Sequence, residues 1–312
     1  MKHVFITGCP RSGTTMLANI MGNEDSCIVA PESHFFNDFI YKYLTDKYVE
    51  AKKADLITYF NKHNRFKQWK IDARKIKDIP EKITYNNYNI IIENTIKLFA
   101  ETHSEILEKE QIRVDHTPSN ILFYDIINEL FPEGKFIFII RDPRAIYASI
   151  KELDWGPNTP LKLSQLWIEY TAAYFAFQKL YPNRIYLLRY EDILNNPTSQ
   201  ISDLCKFIGI KYDNLLLEGE GFKMPEYTYS QHALVGKRLD KYRIGKWKKE
   251  LKKEDVLIIE AKCKTIMSAF GYQNSYNTKY RISKKDKLKM FFTEVYSYFP
   301  NKFRKKEREM KV

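Results

Sequence analysis

Cysteine is scarce: Cys9, Cys27, Cys205 and Cys263 are the only four in 312 residues. They lie far apart with no C-x-x-C pair, which excludes a disulfide framework or a zinc site and fits a reducing compartment. No apolar run approaches the length of a membrane span. No secretory leader precedes the first strand, so the expectation is a cytoplasmic protein, at most peripheral to a membrane. No nucleic-acid-binding motif accompanies the basic balance, so nucleic acid is not expected as a partner. No internal repeat is present.

What is there is ample for a core: 44% of residues are hydrophobic and 15% aromatic. That composition excludes disorder, and the length suits one large domain or one domain with a helical appendage. The net charge of +12 is uneven. From Arg281 to Val312 there are eleven Lys/Arg against four Asp/Glu, a net of +7 that leaves +5 for the rest. The excess reads either as a solvated surface or as attraction to anionic donors, acceptors or membranes.

The chain is organised around its first twenty residues. His3-Val4-Phe5-Ile6-Thr7 is β-branched and aromatic, a short buried strand. Gly8-Cys9-Pro10-Arg11-Ser12-Gly13-Thr14-Thr15 follows and runs straight into an apolar helix from Met16 to Met21. Free N–H groups and the positive helix end therefore point back at a glycine-containing loop, which makes an anion site. The spacing is Gly-x4-Gly, that of a P-loop, but Thr14-Thr15 stands where Lys-Ser/Thr would hold the β- and γ-phosphates and Mg²⁺. Arg11 is the only cation in the loop. A ligand with one phosphate and a singly charged sulfonate needs less neutralisation and no metal.

Downstream, strands alternate with helices, which predicts an α/β fold with a parallel sheet. Cys27–Ala30 is a short apolar segment, and Pro31-Glu32-Ser33-His34 opens a helix with Ser33 as a candidate cap. Residues 46–110 read as small helices and loops, including a helix from about Tyr88 to Ala100, an insertion placed to shape an acceptor site. Gln111–Pro118 is a strand entering a turn, and Ser119–Leu130 is a helix capped by Ser119. Lys135–Ile140 is a continuous apolar strand, as in a buried parallel sheet. It delivers Arg141-Asp142-Pro143-Arg144, where open α/β sheets bind ligands. Helices are expected over Leu161–Leu180 and Pro197–Ile208, with a strand over Arg184–Arg189 between them.

The loop resembles the 5′-phosphosulfate loop of sulfotransferases that use 3′-phosphoadenosine 5′-phosphosulfate, in their Gly-x-Pro-Arg-Ser-Gly-Thr-Thr form. Arg11, Ser12, Gly13, Thr14 and Thr15 then hold the 5′-phosphosulfate. Arg141-Asp142-Pro143-Arg144 and a helix with Ser149 are similar to the family's 3′-phosphate segment, which assigns Arg141 and Ser149 to that phosphate. Arg189-Tyr190-Glu191-Asp192 resembles a stretch that places Tyr190 near the nucleotide. Gly245-Lys246-Trp247-Lys248 resembles the late Gly-x-Trp-Lys/Arg signature, whose preceding basic loop covers the 3′-phosphate; Lys241 and Arg243 are the candidates there. The resemblance implies a P-loop NTPase-like three-layer fold, with a sulfotransferase domain over 1–280, a helical insertion over 46–110 and a basic tail over 281–312.

Sulfonate transfer needs a base for the acceptor hydroxyl and fixed donors for charge on the leaving phosphate. By resemblance to the carbohydrate and protein-tyrosine branches, Glu32 is the base, with His34 its main rival and His116 a further one. His116 stands where relatives often carry Lys, so it is a candidate for the leaving phosphate or the acceptor. The implied acceptor is a carbohydrate or glycolipid; a P-loop-type kinase and a non-catalytic nucleotide-binding protein are the alternatives. Finally, Lys284–Phe299 spaces Leu288, Phe291, Phe292, Val295, Tyr296 and Phe299 on one helix face, with Lys-rich segments at both ends and Pro300 following it. Either that face docks on the domain, or the helix lies on an anionic membrane surface.

Overall fold

The computed structural model describes residues 2–44, 49–103, 111–218, 221, 240–276 and 280–310, with side chains through residue 307. The strands in chain order are β1 (Lys2–Thr7), β2 (Cys27–Ala30), β3 (Ala51–Lys52), β4 (Lys82–Ile83), β5 (Ile112–Asp115), β6 (Lys135–Ile140) and β7 (Ile185–Arg189). Five of them form one sheet in the order β2-β5-β1-β6-β7, and every neighbouring pair is parallel. The helices are α1 (Thr14–Met21), α2 (His34–Tyr43), α3 (Lys53–Lys62), α4 (Asn64–Lys67), α5 (Tyr88–Thr102), α6 (Tyr124–Leu130), α7 (Pro143–Ile150), α8 (Pro160–Leu180), α9 (Tyr190–Asn195), α10 (Pro197–Ile208), α11 (Trp247–Glu250), α12 (Lys253–Ala269) and α13 (Lys284–Met310).

The period-2 geometry of a strand sends alternate side chains to opposite faces. Val4, Ile6, Ile137 and Ile139 join one core with α1, α9 and α10. Phe5, Phe136, Phe138 and Ile140 join another with α2, α5, α8 and α12. A sheet covered on both faces explains why β6 is apolar at five successive positions, Phe136–Ile140. The result is the three-layer α/β/α arrangement, with β1 at its centre.

Helix boundaries carry two corrections. Ser33 occupies the N-cap position of α2, but its side chain makes no cap bond. Its hydroxyl bonds Asp115 instead, and its N–H donates to Thr117 Oγ1 at 2.7 Å. Those bonds tie the end of β2 to the end of β5. Ser119 does not cap either: Pro118–Phe123 is a 3₁₀ turn that leads into α6, and the Ser119 hydroxyl hydrogen-bonds His34 Nδ1 at 3.3 Å. Between β2 and β5, the expected small helices are joined by one short antiparallel pair, β3–β4, that composition does not announce. Phe35 of α2 meets Phe60, Phe66 and Trp69 edge-on, which fastens this segment to the sheet's first strands.

The tail differs most. α13 continues through Pro300, although proline there lacks the N–H for an intrahelical bond. The helix docks through its polar side. Glu294 Oε1 accepts from the Asn158 N–H at 3.0 Å and from the Thr159 N–H and hydroxyl at 2.8 Å each. Asn301 Nδ2 donates to Asn158 Oδ1 at 2.9 Å. The aromatic face, one of whose two expected roles is to dock on the domain, is exposed. The attachment is set by backbone donors at the start of α8, whose N–H groups need acceptors.

Candidate active site

All five parallel strands end on one edge, and a candidate residue follows each end within a few positions. β1 opens the loop Gly8–Thr15, β2 leads to Glu32, β5 to His116, β6 to Arg141 and β7 to Tyr190. The carboxyl edge of an open parallel sheet is where such folds hold ligands.

The loop is shaped by backbone conformations that favour glycine. Gly8 and Gly13 have φ of 150° and 109°, and Arg11 itself is left-handed at 73°. A Cβ on Gly8 would lie 2.4 Å from the Ile139 carbonyl oxygen, and one on Gly13 would lie 2.7 Å from the Tyr190 ring. Gly13 holds the N-cap position of α1, where Ser or Asp would usually cap, and has no side chain to do so. The first-turn N–H groups at Thr14 and Thr15 therefore face the loop, together with the helix dipole.

Arg11 and Arg141 lock this loop to the second motif. Arg11 Nε donates to Ser149 Oγ at 3.1 Å, and Arg141 Nη1 donates to the Arg11 carbonyl at 2.7 Å. The Arg141 guanidinium lies 4.3 Å from the centre of the Tyr190 ring, and its carbonyl accepts from Trp167 Nε1 at 3.1 Å. Burial, Arg141 and Arg243 pull the Arg11 guanidinium down to about 10, with Glu32 opposing them. Cations that crowd one another at a buried site are relieved by an anion. The Ser12 hydroxyl and Arg141 Nε are buried with no hydrogen-bond partner among the described residues, which marks the places where a polar ligand is wanted.

Beside this loop a cavity of about 450 Å³ is lined by Arg141, Arg189, Tyr190, Arg243, Trp247 and Tyr272, among others. A smaller one of about 210 Å³ adds Ser149 and Lys246 and shares Arg141, Arg243 and Trp247. Cations beside flat aromatic rings suit a ligand with both a phosphate and a ring system. Arg243 thus joins Arg141, whereas Lys241 is exposed and lines neither cavity. Lys246 and Lys248, from the Gly245–Lys248 signature itself, line them instead. The basic loop before Asp240 lies outside the described residues. Glu191 and Asp192 are structural: Glu191 accepts from the Asp142 N–H at 3.1 Å and from the Tyr272 hydroxyl at 2.7 Å, and Asp192 pairs with Arg189 at 3.7 Å.

Glu32 stands at the other side of the loop. His34 Nε2 donates to Glu32 Oε2 at 3.2 Å, and Arg65 Nη2 lies 3.4 Å from the same oxygen. The Ser119 hydroxyl bonds His34 Nδ1 at 3.3 Å, so the ring is held between that hydroxyl and the Glu32 carboxylate. Burial would raise the Glu32 carboxyl, but Arg65, His34 and His116 outweigh it and hold it below the usual carboxylate range. The Glu32 side chain is still 20% exposed. His116 is 2% exposed and bonds the Ala30 backbone; burial pushes its imidazole below the ordinary value, against Glu32 and Asp115. Arg65 is the residue that the sequence does not reveal: it comes from α4, a four-residue helix within no motif.

A glycine cradle at a helix start, on the carboxyl edge of a parallel sheet and ringed by arginines, defines a P-loop-like, anion-binding α/β protein. The Sulfotransferase family profile matches residues 3–214, and the chain belongs to that family. An uncharacterised protein of Aquifex aeolicus is 24% identical over 256 residues, 80% of this chain; the chain spans only 30% of that protein's length. The omega-hydroxy-beta-dihydromenaquinone-9 sulfotransferase of Mycobacterium tuberculosis is 22% identical over 290 residues, 77% of this chain and 74% of that protein. A solved sulfotransferase domain from the curacin biosynthetic pathway superimposes with a TM-score of 0.57 at 20% identity, over 86% of this chain and 97% of that one. That likeness shows the fold. Among the described residues no helix is long and apolar enough to cross a membrane.

Proposed function

We propose that this sulfotransferase moves a sulfonate from 3′-phosphoadenosine 5′-phosphosulfate to an acceptor hydroxyl, with a carbohydrate or glycolipid as the acceptor. The observation that carries the donor assignment is the bonded unit of Arg11, Arg141 and Ser149, with Tyr190 stacked on it. It joins two anion sites, one at the Gly8–Thr15 cradle and one at the start of α7. A nucleotide with phosphate on both sides of its ribose fits that pair, and the partnerless Ser12 hydroxyl and Arg141 Nε fit the same ligand. In this reading residues 1–280 are the catalytic domain, with 46–110 inserted, and 281–312 are the tail.

The donor supplies an activated sulfonate on a phosphate oxygen. Arg11, the Ser12 hydroxyl and the N–H groups at Gly13, Thr14 and Thr15 hold the 5′ end and stabilise charge as the phosphate leaves. Arg141 and Ser149 hold the 3′-phosphate, and Arg243 closes that side. Glu32 accepts the proton of the attacking hydroxyl. Arg65 and His34 keep it ionised and aimed, and His116 supports it from behind. The acceptor assignment rests on analogy with relatives that place Glu after the first helix. The mycobacterial relative's name specifies a hydroxylated menaquinone, so a lipid alcohol is the first comparison, and peptide tyrosine the second. A glycolipid would be met at a membrane surface, next to the tail. Incubating the protein with the donor and an acceptor panel, and reading sulfonated product by mass, tests the function. Product on a hydroxyl acceptor supports it; donor bound but never consumed would favour a non-catalytic nucleotide-binding protein.

The pH profile distinguishes Glu32 from the imidazole. A base must be unprotonated, so activity is lost as pH falls through its pKa. With Glu32 held below the carboxylate range, kcat should stay level from neutral pH down to about pH 5. A limb near neutral pH, where free imidazole titrates, would take the role from Glu32 and give it to an imidazole.

A further inference from the structure

We propose that the exposed face of α13 is a docking surface for an anionic lipid bilayer. At 3.6 residues per turn the helix has two opposite faces. Met290, Glu294, Ser297 and Asn301 form the stripe that sits on the domain, and Met290 and Asn301 are buried. On the far side, Leu288, Phe291, Phe292, Val295 and Phe299 form a continuous apolar strip, 44–64% exposed. Tyr296 and Tyr298 flank that strip, one on each edge, and Lys289 and Lys287 lie beyond them. Apolar centre, phenol edges and ammonium rim follow the polarity gradient from acyl chains through headgroups to water.

The charge pattern selects the occupant. Lys284, Lys285, Lys287 and Lys289 cluster around the start of the strip, and Lys302, Arg304, Lys305 and Lys306 follow its end, all exposed. Two copies of α13 packed antiparallel would set one cluster against the other. Packed parallel, each cluster would meet its twin. Both arrangements place like charges together, which disfavours a second copy of this chain. An anionic bilayer neutralises both clusters at once and receives the aromatic strip between them. This surface is independent of the donor and acceptor assignments, since none of its residues touches the site.

The test is flotation of the full chain with phosphatidylcholine vesicles, with and without phosphatidylglycerol, at low and high salt. Two variants accompany it: F291S/F292S/F299S, and K302Q/R304Q/K305Q/K306Q. All seven side chains are exposed, so folding should persist, checked by melting temperature. Expected is binding to the anionic vesicles that falls on the order of tenfold or more in high salt and in either variant. Transfer to a water-soluble acceptor should be unchanged in both, which separates this surface from the catalytic assignment. Failure to float with anionic vesicles, or binding that survives the Phe→Ser variant, overturns the proposal. So would a dimer in light scattering that the Phe→Ser variant abolishes, because a second copy would then own the face.

Discussion

Replacing Glu32 with Gln is expected to lower kcat by on the order of 10²-fold or more and to leave donor affinity near wild type. The substitution keeps the volume and removes the proton acceptor. Three groups favour the ionised carboxylate: His34 at 3.2 Å, Arg65 at 3.4 Å and the buried His116. They stabilise it at neutral pH and lose that contribution only as pH falls below the carboxylate range, so some stability should go with the charge. A melting temperature therefore accompanies the kinetics. Near-normal turnover in Glu32→Gln would reassign the base to His34, whose half-buried imidazole bonds the Glu32 carboxylate, or to His116, and the matching His→Ala variants are the next test.

Arg141→Ala should weaken binding of a 3′-phosphorylated nucleotide by about 1.5–3 kcal/mol, the worth of a charge-assisted contact. An analogue without the 3′-phosphate should lose little. The two ligands must be compared because Arg141 also bonds the Arg11 carbonyl and stacks on Tyr190. If its work were only to brace the loop, both nucleotides would lose equally. A loss confined to the 3′-phosphorylated ligand places the phosphate on the guanidinium.

The parts legible in the sequence are those where local pattern and global fold ask for the same residues. β6 is a run of apolar residues because both faces of a central parallel strand are buried. The Gly8–Thr15 loop is legible because its φ values and the close approach of Ile139 and Tyr190 require glycine at two fixed positions. Arg141 and Tyr190 are legible as the first residues beyond strands. Arg65 is not, because a contact from a separate four-residue helix leaves no spacing to read. The tail shows the limit most clearly. Periodicity reveals that α13 has an apolar face, but which face docks depends on Asn158 and Thr159, far away in sequence, which need the Glu294 carboxylate. Ser33 and Ser119 are similar cases: each has the right type and place for a cap, and each is claimed by a partner across the sheet.

Titration calorimetry most directly tests the claim that this cradle holds a 3′-phosphorylated adenosine nucleotide rather than a nucleoside triphosphate with its metal. 3′-Phosphoadenosine 5′-phosphate would be titrated in the presence of a chelator, and ATP with Mg²⁺ in a parallel experiment. The first is expected to bind without metal and to be weakened by Arg141→Ala, with ATP and Mg²⁺ binding far more weakly. Tight, Mg²⁺-dependent binding of ATP, with no heat from the bisphosphate, would contradict the claim and return the site to the kinase reading.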